Sequence, residues 1–171
     1  MRPTISSETL ARQLEWRHHL HSIPERAYRE NKTADFIADR LAAMSLVVDR
    51  GLAGTGVVGV IEGKGLSDRA IGLRSELDAL PVTEANAVDY VSSHQGTMHA
   101  CGHDGHMAMV LGAADHLSRN RDFAGRVVLI FQPAEENEGG GRQMVEDGLF
   151  QRFPVDAIYA VHNWRSEERR V

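Results

Sequence analysis

Hydrophobic residues recur at helical spacing in several stretches of this chain. Residues 6–21 and 31–43 each place apolar side chains three and four positions apart. A third stretch, 107–117, has the same period and comes directly after a group of histidines. The pattern therefore predicts three amphipathic helices, and a fourth is predicted over residues 142–149, after a glycine-rich turn.

Short runs of β-branched and aliphatic residues separate these stretches. They predict strands over residues 47–50, 56–61, 70–74, 126–131 and 157–161. The run 126–131 is almost continuously apolar, as is typical of a strand covered on both faces. Residues 62–69 and 83–97 are polar and are expected to form turns and loops. Strands that alternate with helices indicate an α/β fold with a mostly parallel sheet flanked by helices.

Residues able to bind a metal follow three of the predicted strands. Asp78 comes after 70–74, Glu135 and Glu136 follow 126–131, and His162 follows 157–161. In open α/β sheets, sites form at the carboxyl ends of the strands. Adjacent carboxylates beside a buried strand are unfavourable unless a cation neutralises them, so we expect these groups to share one metal-binding edge.

The segment 98–106 contains the single cysteine and three of the nine histidines. In an extended segment Cys101 and His103 would point to the same side and could share a divalent ion such as Zn²⁺. The dipole of the helix predicted after them would favour the thiolate form of Cys101. A buried free cysteine among hydrogen-bonded histidines is the alternative interpretation. Glu76, two residues before Asp78, is either part of the same site or a solvated carboxylate.

Composition narrows the class of protein. The chain has 171 residues, 42% hydrophobic and 25% charged, which is typical of one soluble globular domain. A net charge of −5 argues against a nucleic-acid-binding surface. No apolar run approaches the roughly 18 residues of a membrane span, and the amino terminus has no signal-peptide pattern. With one cysteine a disulfide framework is excluded, so we expect a cytoplasmic protein.

Four motifs together resemble a known enzyme family. They are similar to the successive motifs of a metal-dependent amidohydrolase family. The four segments are 72–81, 98–106 (with Cys-Gly-His-Asp-Gly-His), 131–136 (with Pro-Ala-Glu-Glu) and 160–164. Its members include hippurate hydrolase, auxin–amino acid conjugate hydrolases and N-acetyl-diaminopimelate deacetylase, and it is related to aminoacylases and carboxypeptidase-type zinc peptidases. The resemblance implies the catalytic-domain portion of a zinc-peptidase-like fold.

The resemblance also implies roles for individual residues. The positions that match metal ligands are Cys101, His103, Glu136 and His162. Glu135 matches the general base, and Asp78 matches the acidic residue that supports the ligands. His99 and His106 receive no ligand role. A complete site of this family would hold two divalent ions, Zn²⁺ or Mn²⁺.

The implied activity is hydrolysis of the amide bond of an N-acyl amino acid, hippurate-like or N-acetylated. The ions would activate a water molecule. Glu135 would take the proton of this water and pass it to the departing amine. The products are a carboxylic acid and an amino acid. A small molecule of this kind is the expected partner, and neither nucleic acid nor a membrane is expected.

The chain departs from the family in three places. Glu76 stands where the family usually has Asp. Residues 21–28 match the family's usual His-Pro-Glu-Leu segment only loosely. The family also continues well beyond Trp164, with an inserted domain for dimerisation and covering of the site, and then with a final metal-binding histidine. We therefore expect residues 1–164 to be the amino-terminal part of a catalytic domain, 165–171 a non-native tail, and the full-length parent a homo-oligomer. Apolar faces meant to be covered would be exposed.

Two alternatives remain at this point. One is an inactive truncated fragment that is at most a metal-binding or interaction module. The other is a hydrolase in which Cys101 is the nucleophile and His103 its base.

Overall fold

A computed structural model describes residues 6–136 and 138–163 of the chain. Trp164 and the predicted tail 165–171 lie outside these residues. In chain order the elements are α1 (Ser7–Ser22), α2 (Asn31–Ala43), β1 (Val47–Leu52), β2 (Gly56–Glu62), β3 (Gly65–Glu76), α3 (His103–Arg119), β4 (Ala124–Gln132), α4 (Gly140–Glu146), α5 (Leu149–Arg152) and β5 (Ala157–Ala160).

The five strands form one sheet in the order β1-β2-β4-β3-β5. β3 is parallel to both of its neighbours, β4 and β5, whereas β2 is antiparallel to β1 and β4. Among the described strands, β2 alone runs against the others. The predicted α/β class with a mostly parallel sheet is therefore confirmed, and the parallel strands β4, β3 and β5 lie side by side, so their carboxyl ends share one edge.

Strand β4 is the central buried strand. Its side chains alternate between two apolar cores, one on each face of the sheet. Val127, Leu129 and Phe131 pack with α1, α2 and α3, while Val128 and Ile130 pack towards α4 and α5. This arrangement confirms the prediction that the strand is covered on both faces. None of the described helices is both long and apolar enough to cross a membrane.

Three elements differ from the sequence prediction by more than two residues. β3 begins at Gly65 instead of Ala70, with an irregularity in its pairing to β4 before Ala70. The exposed start of the strand is held by backbone pairing, which a hydrophobic pattern does not reveal. α3 begins at His103, four residues earlier than predicted, because Gly102 adopts a left-handed conformation (φ 89°) and opens the helix there. The predicted helix 142–149 is divided into α4 and α5 at Gly148, where φ is 96°.

β5 is an edge strand of the described sheet and carries exposed apolar side chains. Tyr159 is 59% exposed, Val161 50% and Ile158 43%. Met109 of α3, beside this edge, is 44% exposed. Apolar side chains are therefore exposed next to the carboxyl edge of the parallel strands.

Candidate metal centre

The four side chains predicted as metal ligands come together at the carboxyl edge of the sheet. Cys101, His103 and Glu136 each offer an atom within 4.8 Å of the others. His162 follows β5, and its Nε2 lies 3.4 Å from the Sγ atom of Cys101. These residues come from three separate segments of the chain, and the parallel strands together with the start of α3 bring them to one place.

His103 is the first residue of α3, and its ring orientation is set by Asp78. The His103 Nδ1–H donates to the backbone carbonyl of Asp78 at 2.8 Å and lies 3.4 Å from its Oδ1. The proton on Nδ1 leaves the lone pair of Nε2 available for a metal. This Nε2 lies 3.7 Å from Glu136 Oε1 and 3.7 Å from Glu135 Oε2.

Asp78 supports the site from beneath it. The side chain is 1% exposed, and its Oδ2 accepts the backbone N–H of Glu136 at 3.1 Å. Burial opposes ionisation, but the hydrogen bonds from His103 and from the backbone of Glu136 and Glu135 outweigh it, so the pKa of Asp78 is lowered. The same residue therefore orients His103 and fixes the segment that carries Glu136.

Cys101 lies in a turn, because Gly102 bends the chain before the helix begins. The extended segment assumed in the sequence analysis is therefore wrong, although the turn still brings Cys101 and His103 together. Burial and the nearby carboxylates, Glu136 foremost, raise the pKa of the Cys101 thiol to about 12. The prediction that Cys101 favours the thiolate form is wrong for the metal-free chain, since burial foremost, and then the acidic neighbours, favour the thiol. A metal would have to displace the thiol proton on binding.

The donor set fits a divalent metal ion. Within the described part of the chain, His103 Nε2 and Glu136 Oε1 are buried and have no hydrogen-bond partner. They face each other at 3.7 Å, a separation too long for a hydrogen bond but close to that of two ligands on one ion. Sulfur, imidazole nitrogen and carboxylate oxygen together suit Zn²⁺ or another borderline divalent ion.

Glu135 lies on the open side of the cluster, with 38% of its side chain exposed. The segment that carries it is held by Glu30, which the sequence analysis did not identify. Glu30 is 0% exposed and accepts the backbone N–H of Ala134 at 2.9 Å and the Thr55 hydroxyl at 2.7 Å. An isolated glutamate between two helices carries no spacing signal, so only the structure reveals this contact.

His99 and His106, to which the resemblance assigns no metal, are both buried in the segment that carries Cys101 and His103. His99 is 3% exposed, and burial foremost lowers its pKa to about 4. His106 is 0% exposed, and its Nδ1 lies 2.8 Å from Glu76 Oε2. Glu76 is itself 3% exposed, so the interpretation of this residue as a solvated carboxylate is wrong. Glu76, His103 and His106 form a second buried group with metal-binding atoms within 4.8 Å of one another.

A cavity of about 500 Å³ opens beside the centre. Cys101, His99 and His162 line one part of it, and Arg17 and Asn86 line another. Two of the four candidate ligands, Cys101 and His162, are therefore accessible from a polar cleft.

Comparison with protein families gives one match that spans most of the carboxyl half of the chain. The model of Peptidase family M20/M25/M40 matches residues 72–170. This range contains all the candidate ligands and both glutamates that follow β4.

Named relatives share substantial identity with the chain. Hippurate hydrolase from Campylobacter jejuni is 45% identical over 147 residues, which are 86% of this chain and 38% of that protein. N-acetyl-L-cysteine deacetylase from Bacillus subtilis is 41% identical over 161 residues, 93% of this chain and 38% of that protein. N-acetyldiaminopimelate deacetylase from Lactobacillus acidophilus is 39% identical over 166 residues, which are 94% of this chain and 42% of that protein. The chain thus spans about two fifths of the length of these relatives.

The fold also matches solved structures. The Bacillus subtilis YXEP protein, described as a dinuclear metal-binding peptidase, superposes with a TM-score of 0.87 at 34% identity, covering 94% of this chain and 45% of that protein. A protein described as an aminohydrolase, from methicillin-resistant Staphylococcus aureus, superposes with a TM-score of 0.85 at 34% identity. The match covers 93% of this chain and 42% of that protein.

Proposed function

This chain belongs to Peptidase family M20/M25/M40, and from that premise we propose that it carries the metal-binding residues of an active site that hydrolyses the amide bond of N-acyl amino acids. The observation that carries the proposal is the convergence of Cys101, His103 and Glu136 on one point, with two buried atoms that lack any hydrogen-bond partner within the described residues. Deacetylase and hippurate hydrolase activities in the names of relatives support the choice of substrate class.

The residues that would hold metal are Cys101, His103, Glu136 and His162. When bound, divalent ions lower the pKa of water and stabilise negative charge that develops on a carbonyl oxygen. Asp78 contributes by keeping the His103 proton on Nδ1, so that Nε2 faces the site. The relative described as a dinuclear metal-binding peptidase supports a total of two ions in a complete site. We propose Zn²⁺ or Mn²⁺ for these ions from the sulfur, nitrogen and oxygen donors of this chain.

Glu135 is the proposed general base. Its carboxylate is partly exposed on the open side of the cluster, and its Oε2 lies 3.7 Å from the candidate ligand atom of His103. It takes a proton from water as the water oxygen bonds to the amide carbon. When the carbon–nitrogen bond breaks, Glu135 gives the proton to the departing amine, which leaves a carboxylic acid and an amino acid.

The experiment compares the purified chain with Glu135→Gln and, as a matched control, Glu138→Gln. Glu138 is an exposed residue three positions along the same segment. We expect hydrolysis of hippurate or N-acetyl amino acids that requires added Zn²⁺ or Mn²⁺. Glu135→Gln should lose roughly 100-fold or more in rate while it retains metal, and Glu138→Gln should match the wild type. Unchanged turnover in Glu135→Gln would remove it as the base.

The alternative function is that of a metal-binding module without hydrolytic activity. The convergence of Cys101, His103 and Glu136 supports metal binding by itself, without any role for a catalytic base. Stoichiometric metal without any hydrolysis in the same assay would support this alternative. The Cys101 nucleophile hypothesis is disfavoured, since a thiol whose pKa is raised to about 12 is a weak nucleophile at neutral pH.

A further inference from the structure

The pair formed by Glu76 and His106 lies directly behind the proposed metal centre. His106 Nε2 accepts the backbone N–H of Asn163 at 2.8 Å, and its Nδ1 lies 2.8 Å from Glu76 Oε2. A backbone N–H can only donate, so Nε2 must be the unprotonated nitrogen. The proton therefore resides on Nδ1 and is donated to Glu76.

This tautomer is held in place by its surroundings. His106 is 0% exposed and Glu76 is 3% exposed. The other oxygen of Glu76 pairs with the guanidinium of Arg74, whose Nε also donates to Gln132 Oε1 at 3.0 Å. The acceptor nitrogen of His106 is thus fixed to the ends of β3 and β4 through a continuous chain of polar contacts.

The bond acts on the residue next to a candidate ligand. Asn163 follows His162, and both lie beyond Ala160, the last residue of β5 that pairs with β3. The His106 and His162 rings meet edge to face, with centroids 4.9 Å apart. The His162 Nδ1–H donates to the Asn163 carbonyl at 2.9 Å, and Nε2 faces Cys101 Sγ at 3.4 Å.

We infer that Glu76 and His106 are positioning residues that fix His162 in the metal site through the Asn163 N–H. The inference rests on the proposed metal site. The physical basis of the inference is that helix α3 supplies two groups. His103 is its first residue, and His106, about one turn later, is the acceptor that anchors the segment carrying His162. One rigid element thereby sets the separation of two ligands.

The main experiment uses Co²⁺ as the probe and two substitutions that each retain half of the imidazole. His106→Gln keeps an acceptor near the Nε2 position, whereas His106→Asn keeps a donor towards Glu76 and loses that acceptor. Co²⁺ affinity is measured from the thiolate charge-transfer band of Cys101. We expect His106→Asn to lose about 10- to 100-fold in affinity and His106→Gln to retain most of it.

A double-mutant cycle separates positioning from general destabilisation. If His106 acts through His162, then His106→Asn should weaken Co²⁺ binding no further when His162→Ala is already present. Additive losses in the double variant would overturn the inference. Wild-type chain that binds no Co²⁺ would instead contradict the proposed function.

A second pair of variants tests the bond without altering the buried histidine. Asn163→Pro removes the N–H, and Asn163→Ala retains it at the same exposed position. We expect only the proline variant to lose Co²⁺ affinity. In metal-free wild-type protein, nuclear magnetic resonance should detect a scalar coupling between the Asn163 amide nitrogen and His106 Nε2. Absence of that coupling, or equal affinity in the two variants, contradicts the inference whatever the outcome of the hydrolysis assay.

Discussion

The thiol of Cys101 is surrounded by carboxylates, and its reactivity should report them. Burial and the neighbouring Glu136 raise its pKa to about 12, against about 8.5 for an ordinary cysteine. The thiolate is the reactive form, so metal-free protein should react with iodoacetamide roughly 100-fold or more slowly than free cysteine at pH 8. The rate should continue to rise with pH beyond 10 without a plateau.

The cause of this shift is tested by neutralising one neighbour. Glu136→Gln should accelerate alkylation of Cys101, while Glu138→Gln, a change at an exposed position of the same segment, should leave the rate unaltered. A plateau in the wild-type rate near pH 8.5 would contradict the raised pKa. Binding of metal to the wild type should release about one proton from this thiol, measurable with a pH indicator.

Glu30 is a second residue whose role is structural and measurable. Glu30→Ala leaves the buried N–H of Ala134 without its acceptor, so we expect a loss of about 1–3 kcal/mol in the free energy of unfolding, measured with urea. Glu30→Gln retains an acceptor and should lose less. Equal losses in the two variants would show that the carboxylate contact is not what stabilises this segment.

The pH dependence of Glu30 has a defined sign. Burial raises its pKa above the ordinary value of 4.5, and the hydrogen bonds it accepts only partly offset this. The folded state therefore holds the proton more tightly than the unfolded state, and this contribution is present at low pH and lost as the pH rises through the folded-state pKa. Relative to Glu30→Gln, the wild type should become less stable between pH 4 and pH 7.

At the scale of single residues, spacing and chain position predicted which side chains meet. Asp78, Glu136 and His162 were expected at one edge because each follows a predicted strand, and the structure brings them there. Spacing could not predict Glu30, nor that Glu76 and His106 pair, because these contacts join residues that are distant in sequence. Such pairings depend on register and packing, which single-sequence patterns do not contain.

Among the elements, helix α3 depends most on one backbone conformation. Gly102 has φ 89°, a region that disfavours residues with a Cβ atom, and a Cβ there would meet the Asn163 side chain at 3.4 Å. Gly102→Ala should lower the free energy of unfolding by about 1 kcal/mol or more and weaken Co²⁺ binding, because the turn sets the positions of Cys101 and His103.

The matched control lies three residues further on. Gly105 is inside the helix, and a Cβ at this position meets nothing within 4 Å. Gly105→Ala should therefore raise the free energy of unfolding by up to about 1 kcal/mol through helix propensity. Urea unfolding of the two variants side by side is the measurement, and destabilisation of similar size in both would contradict the assigned role of Gly102.

The boundaries of elements were the least predictable feature, for a physical reason. α3 starts with His103 and Asp104, both 1% exposed, so its first turn buries polar side chains towards the site. A search for apolar periodicity necessarily starts the helix too late, at Met107. The early start of β3 was missed in a similar way, since its first five residues are exposed and show no apolar alternation, and Gly65 belongs to the strand through its backbone pairing with Ala124 of β4.

For the whole molecule, the exposed edge at β5 should govern solution behaviour. Tyr159, 59% exposed, and its apolar neighbours lie on an edge strand whose outer backbone groups have no strand partner among the described residues. Such edges promote association. We expect the chain to self-associate as concentration increases, measured by size-exclusion chromatography with light scattering, and Tyr159→Lys to reduce this.

Leu66→Lys provides the comparison for that substitution. Leu66 is a fully exposed hydrophobic side chain at the start of β3, away from the edge strand β5. The Leu66→Lys substitution adds the same charge as Tyr159→Lys without changing the β5 surface, so association should be close to that of the wild type. A chain that remains monomeric at all concentrations, or an equal effect of both lysines, would mean that the β5 edge does not direct association.

The position of β5 at the end of the described chain also determines when the site can form during folding. Ala70 and Asp156, which exchange hydrogen bonds where β5 docks beside β3, are 86 residues apart. Contacts of such long separation form late, because the chain must first lose the entropy of closing the intervening loop. The segment that carries Glu136 depends on a contact of the same kind, because Ala134 is bonded to Glu30 across 104 residues. Glu136 and His162 are therefore both expected to reach the site late in folding, when the sheet is completed, so that a metal ion would meet the assembled set of ligands only in the nearly native protein.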